Sequence, residues 1–265
     1  MSTFFEKIND IDILLHCDGY EREYFFAECS RLAYKGQKLA SKEFKKVGFT
    51  SYKFCSVEGA QCHIVKNRDY IVIAFRGTEP RQFSDIKADL MAWKRKSRTE
   101  GHVHAGFKNE LDKLWADIKM GLSRKGDRTI FLCGHSLGGA IATVCASRLE
   151  KDVEELYTYG SPRVGGEIFR DNLLVDHCRV VNNNDMVTKV PFWFIGYRHH
   201  GYLTYINHYG NIRTLTFWQR FKDQIRGRWC ALRKFQMFDG IRDHDINKYC
   251  KKLKSLVKIE PTFGE

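Results

Sequence analysis

Thr129-Ile130-Phe131-Leu132-Cys133-Gly134-His135-Ser136-Leu137-Gly138-Gly139, continuing through the small-residue run Ala140 to Leu149, is the stretch that decides the fold. Thr129 to Cys133 is short, apolar and β-branched at its start, which predicts a buried strand. Ala140 to Leu149 predicts a helix, and the glycines between them leave room for only a tight turn. Strand, sharp turn and helix around G-x-S-x-G is the context in which that pentapeptide presents a serine nucleophile. A serine at the apex of such a turn is strained, and the following helix aims its N-terminal N–H groups at the reacting centre. The bland alternative is a glycine turn that only joins strand to helix.

The pattern repeats outward from this unit. Tyr52 to Val57, Ala60 to Lys66 and Tyr70 to Phe75 read as strands before it, the last almost wholly apolar. Leu111 to Leu122 has the periodicity of an amphipathic helix. After the turn come a strand at Leu156 to Tyr159, a helix near Glu167 to Leu174, a strand at Cys178 to Asn182 and a helix at Ile246 to Leu256. Strands alternating with helices predict an α/β fold: a mostly parallel central sheet with helices on both faces. Asp10 to Lys38 predicts two helices broken near Cys17-Asp18-Gly19, covering the sheet. The whole chain, residues 1–265, reads as one domain with an N-terminal helical region over about 1–45, since few prolines and no linker-like segment interrupt it.

Composition narrows the function classes. The 265 residues include 44 Lys and Arg against 32 Asp and Glu, a net charge of +12 that suits nucleic acid, an anionic membrane surface or simple solubility. No nucleic-acid recognition module accompanies the charge, so no nucleic-acid partner is expected. No apolar run approaches the roughly 18 residues of a membrane span. The first twenty residues lack the basic start and apolar centre of a signal peptide. The nine cysteines, odd in number and without a CxxC pair, read as buried thiols in a reducing cytoplasm. A zinc site on Cys55, Cys62 and His63 lacks tetrahedral ligand spacing, and no metal is expected.

A serine hydroxyl attacks only when an imidazole takes its proton, and the imidazole needs a carboxylate to fix its tautomer. With an elbow of this type the chain order is Ser, acid, His. Asp185, in the loop Asn182-Asn183-Asn184-Asp185-Met186-Val187 after a strand, is the leading acid, with a turn-forming Asp as its bland reading and Asp171 and Asp176 as weaker choices. His199, His200, His208 and His244 all follow it.

Six motifs occur in order: Ala74-Phe75-Arg76-Gly77-Thr78, Val103-His104-Ala105-Gly106-Phe107, the elbow, Tyr159-Gly160-Ser161-Pro162-Arg163-Val164-Gly165, Asn184-Asp185 ahead of Val190-Pro191, and Asp243-His244 ahead of Tyr249. In these the chain resembles the class 3 lipases, α/β-hydrolases that act on lipid esters, from about Tyr70 to about Leu253. The resemblance implies Ser136 as nucleophile, Asp185 as acid and His244 as base. It implies an oxyanion hole at Thr78, joined by the N–H of Leu137, the residue after the nucleophile. Asp243 and Asp245 are a caution, because a carboxylate at the ring would favour imidazolium and weaken the base. Arg76 reads as a loop brace, His104 as packing beneath the site, and His199 and His200 as structural or pocket-lining.

The resemblance also implies a helical lid over Arg81 to Leu90, with Phe83, Ile86 and Leu90 on one face; a permanently docked surface helix is the alternative. Trp218, Phe221, Ile225 and Trp229 recur at helical spacing with Arg226 and Arg228 between them, the profile of a helix lying on an anionic membrane surface or, equally, of a core helix. Pro191 to Ile195 reads as acyl-pocket wall or core. The expected activity is hydrolysis of carboxylic esters of lipids through an acyl-enzyme, a chemistry that requires no cofactor. A phospholipase A-type or general esterase is the alternative on the same scaffold, and an inactive membrane-binding protein the second.

Overall fold

The computed structural model describes residues 4–6, 8, 11, 20–78, 93–212 and 242–257. Its centre is a seven-stranded sheet built from β1 (Ser51–Val57), β2 (Ala60–Lys66), β3 (Tyr70–Phe75), β6 (Thr129–His135), β7 (Val153–Tyr159), β8 (Asp176–Asn182) and β9 (Tyr202–Ile206), in that spatial order. β1, β2 and β3 pair antiparallel, whereas β3, β6, β7, β8 and β9 are parallel. This is the mostly parallel sheet that the alternating elements predict, in the α/β-hydrolase arrangement that the resemblance implies. A second, two-stranded ribbon joins β4 (Lys94–Lys96) to β5 (His102–His104).

Side-chain alternation along the central strands feeds two cores. Val72, Ala74, Phe131, Cys133, Tyr157, Tyr159 and Val180 face one side, where they meet Phe25 and Phe26 of α1 (Tyr20–Leu32) and Tyr249 and Leu253 of α6 (Ile246–Leu256). Ile71, Ile73, Phe75, Ile130, Leu132 and Leu156 face the other, against Leu111, Leu114 and Ile118 of α3 (Ala105–Leu122) and Ile141, Val144 and Cys145 of α4 (Leu137–Leu149). All six residues of β3 are buried, as a strand covered on both faces requires.

The N-terminal helices depart from their expected bounds. A helix break falls after Leu32, and α2 (Gln37–Lys46) runs past the expected end at Lys38; residues 12–19, with the expected break near Cys17 to Gly19, lie outside the described residues. The chain turns where it does because the sheet uses its groups: the Ala33 carbonyl meets His63 Nε2 at 3.3 Å and Tyr34 Oη meets His135 Nδ1 at 2.8 Å. α1 covers the sheet, as expected. The helix near 167 is only Glu167–Asp171 (α5), with Leu173 buried and Leu174 exposed. β9 has no counterpart in the sequence reading, because the crossover that precedes it holds two 3₁₀ turns, Val187–Lys189 and Trp193–Ile195, and no helical repeat.

The seven described cysteines, at 29, 55, 62, 133, 145, 178 and 250, are buried and unbridged. Cys55 and Cys62 are cross-strand partners on one core, while His63 meets Tyr52 Oη at 2.8 Å on the opposite face, so these three do not converge.

Candidate active site

The elbow is strained in the way its sequence demands. Ser136 has φ 58 and ψ −128, a left-handed conformation for a residue with a side chain, between the end of β6 and the first residue of α4. A Cβ on Gly134 would strike the backbone of Gly138, and one on Gly138 would strike the carbonyl of Phe75, so glycine is obligatory at both flanks. The Ser136 N–H donates to the Tyr159 carbonyl at 2.9 Å, which ties the apex to the end of β7. The next residue, Gly160, has φ 57, and a Cβ there would lie 2.5 Å from Asp185 Oδ2 and 2.9 Å from His244 Nδ1. The acid and the base therefore pack against the backbone immediately beside the strand end that anchors Ser136.

Asp185 is wholly buried in the loop after β8. Burying a carboxylate is costly unless donors surround it. Here His244 Nδ1 lies 2.9 Å from Oδ2 and 3.1 Å from Oδ1, Tyr249 Oη donates to Oδ2 at 2.5 Å, and the Val187 N–H donates to Oδ1 at 2.9 Å. Burial and the adjacent Asp185 charge push the Tyr249 hydroxyl well above its usual pKa, keeping it a donor. With Nδ1 of His244 directed to Asp185, its lone pair lies on Nε2, the tautomer a general base needs.

The two neighbouring carboxylates are engaged elsewhere. Asp243 accepts from Asn183 Nδ2 at 2.9 Å and from the Asn184 N–H at 3.3 Å. Asp245 caps α6 by accepting from the Asn247 N–H at 2.9 Å. Both serve the loops that hold the pair together: Asn182 Nδ2 also donates to the Asp243 carbonyl at 2.8 Å.

His135 is a site residue that the sequence reading passed over. Its ring lies 4.4 Å from that of His244, and its Nε2 is 2.7 Å from the His244 carbonyl. A carbonyl only accepts, so Nε2 carries the proton and Nδ1 accepts from Tyr34 Oη. Burial, and then the proximity of His244, hold the His135 pKa well below the usual range, so a neutral ring braces the base. Its position inside the elbow was the available signal; its partner Tyr34 is 101 residues away and carried none.

The register Phe75 opposite Gly134 sets Arg76-Gly77-Thr78 alongside the elbow, with Thr78 half-buried. A Cβ on Gly77 would meet Tyr34 Oη and the His135 carbonyl, so that loop is drawn in tightly. Arg76 braces it as expected, through Gln61 Oε1 at 2.7 Å. Leu137 opens α4 and is half-buried. His104 caps α3 by accepting from the Gly106 N–H at 3.1 Å and stacks on Phe107. His199 meets the Thr188 carbonyl at 2.8 Å and His200 meets His177 at 3.1 Å; burial lowers the pKa of each of these three imidazoles. Pro191 to Ile195 is divided: Phe192 packs on the core, whereas Trp193, Phe194 and Ile195 are exposed. Phe83, Ile86, Leu90, Trp218, Phe221, Ile225, Arg226, Arg228 and Trp229 lie outside the described residues. Among the described residues no three His, Cys, Asp or Glu side chains converge to hold a metal ion.

A mostly parallel sheet with a strained serine at a strand–helix turn, and a buried Asp–His pair beside it, gives the chain the α/β-hydrolase fold. Residues 72–195 match the model of the family described as lipase (class 3). It is 42% identical over 106 residues to a secreted mono- and diacylglycerol lipase of Fusarium solani, covering 37% of this chain and 32% of that protein. It is 29% identical over 180 residues to the toxin TseL of Vibrio cholerae, covering 50% of this chain and 28% of that one. The chain thus spans about a third of the length of these relatives. Among solved structures, the lipase of Rhizopus microsporus var. chinensis superposes with a TM-score of 0.59 at 24% identity, over 72% of this chain and 76% of that one. No helix among the described residues is long and apolar enough to cross a membrane.

Proposed function

We propose that this chain is a serine carboxylic ester hydrolase acting on lipid esters. Ser136 Oγ attacks the ester carbonyl, and His244 Nε2 takes its proton and passes it to the leaving alcohol. Asp185 orients His244 and stabilises the imidazolium. The N–H groups of Leu137 and Thr78 hold the oxyanion, each donor contributing about 2.7–4 kcal/mol to the barrier reduction. Water then cleaves the acyl-enzyme by the same proton route reversed. The observation that carries the reading is the wholly buried Asp185, bonded to His244 and packed on Gly160 next to the anchor of a strained Ser136.

A fluorophosphonate probe tests it. Labelling should vanish in Ser136→Ala and fall strongly in His244→Ala; equal labelling of all three proteins overturns the reading and favours an inert membrane-binding protein. The similarity to a relative named as a mono- and diacylglycerol lipase supports partial glycerides as substrates. Fatty acid release from diacylglycerol, triacylglycerol, phospholipid and short soluble esters, measured side by side, separates this choice from a phospholipase A-type or general esterase. The basic aromatic stretch Trp218 to Phe235 supports salt-sensitive association with anionic membranes. The buried free thiols support a reducing compartment, although the Fusarium relative is named as secreted; fractionation with the thiols trapped decides between them.

A further inference from the structure

The turn Trp193-Phe194-Ile195 breaks the burial rule. Trp193 is 64% exposed, Phe194 66% and Ile195 40%, and Trp93, which precedes β4, is 88% exposed. The turn is nevertheless tightly held. Lys94 Nζ donates to the Ile195 carbonyl at 2.9 Å and Arg198 Nη1 to the Trp193 carbonyl at 2.8 Å. Arg163 Nη1 donates to the Pro191 carbonyl at 3.0 Å and to that of Lys189 at 2.5 Å. Phe194 stacks on the half-buried Phe192 with centroids 5.1 Å apart, and Gly196 closes the turn at φ 84. Three cations fix backbone carbonyls so that an apolar tripeptide points outward, where water would otherwise favour its collapse.

The surroundings are cationic. Residues 93–98 and 186–201 contain Lys94, Arg95, Lys96, Arg98, Lys189 and Arg198 and no Asp or Glu. Lys96 lies on the same side of β4 as Lys94, the residue that reaches the turn, and is exposed. Indole and phenyl rings standing beside fixed positive charges match the apolar boundary and phosphate layer of an anionic bilayer. Arg98 is paired with Asp112 at 3.1 Å, and Lys94 and Arg198 are the cations that touch the turn itself. The turn also lies in the crossover that leaves the Asp185 loop, so a contact there bears on the side of the molecule that carries the acid.

We propose that Trp93 and the Trp193–Ile195 turn, with Lys94, Lys96 and Arg198, form the surface by which the protein seats on an anionic lipid bilayer. This surface is separate from the Trp218 to Phe235 stretch, and the proposal rests on the hydrolase reading only in that a bilayer would present the substrate. Binding is therefore measured in the Ser136→Ala background, where turnover plays no part, using vesicles of phosphatidylcholine with and without phosphatidylserine.

The parent should bind the anionic vesicles and release them in high salt. Trp193→Ser with Phe194→Ser should weaken partitioning at least tenfold with an unchanged melting temperature, because both rings are exposed. Lys96→Glu should weaken it more than about fivefold at low salt and have little effect at high salt. Restored to the Ser136 protein, all three substitutions should leave hydrolysis of a short soluble ester unchanged. Vesicle binding by the turn variants equal to the parent overturns the proposal, as does equal parent binding to neutral and anionic vesicles. A sedimentation shift from dimer to monomer on Trp193→Ser also overturns it, since a second copy of the chain would then be the occupant.

Discussion

The Asp185 loop and the turn that follows it use the same device in opposite senses. At Asp185 a charged group points inward, and three donors within 3.1 Å replace the water it lost. Eight residues later, at Trp193, apolar groups point outward while cations satisfy the carbonyls behind them. Each segment inverts the ordinary pattern of polar surface and apolar interior, and each is held by hydrogen bonds from distant parts of the chain. A protein sustains such inversions where a reacting group or a partner makes use of them.

The largest test of the inward-facing half is Ser136→Ala, expected to lower kcat on a soluble ester by roughly 10⁵-fold or more, with His244→Ala close behind because the groups act as a unit. Asp185→Asn, measured the same way, should cost about 10⁴-fold through the wrong imidazole tautomer. A loss under tenfold would leave Asp185 with a packing role only.

Tyr249→Phe removes one donor from the buried carboxylate without opening a cavity. It should cost about 1.5–3 kcal/mol, read as a lower melting temperature together with a lower kcat. His135→Leu should lower kcat about tenfold at unchanged KM by freeing the His244 carbonyl, a loss worth about 1.4 kcal/mol. His135→Asn, which keeps a donor, should recover part of the loss. An unaltered kcat in both variants would remove His135 from the positioning machinery.

The smallest effect is on pH dependence. Burial lowers the pKa of His63 to about 4 and depresses those of His135, His177, His199 and His200. Below about pH 6.5 the unfolded chain binds protons that these folded rings refuse, so stability should fall as the pH drops from 6.5 towards 4. His63→Gln should flatten that slope by up to about 1.4 kcal/mol per pH unit over this window. An identical slope in the variant would assign the acid sensitivity to other groups.

Much of the sheet was legible. β1, β2, β3, β6, β7 and β8 follow runs whose apolar content is set by burial on one or both faces, and α6 begins and ends where its periodicity does. β9 escaped because its crossover carries 3₁₀ turns and aromatic residues instead of a helical repeat. The same aromatics, Trp193 and Phe194, read as pocket wall or core because hydrophobicity records a preference for leaving water and says nothing about the direction in which the backbone points.

By itself, the sequence determined the elbow, since the glycines flanking Ser136 admit one close-packed turn, and it determined the ordered motifs in which the chain resembles the class 3 lipases. Tertiary structure decided which histidine meets Asp185, that Tyr34 and His135 brace it, and that Asp243 and Asp245 are occupied in holding loops. The physical reason is range. Turn geometry and side-chain alternation are dictated by neighbours a few residues apart, whereas the Asp185–His244 bond joins positions 59 residues apart and the Tyr34–His135 bond positions 101 apart. Those pairings exist only once the parallel sheet has brought the ends of β6, β7 and β8 side by side.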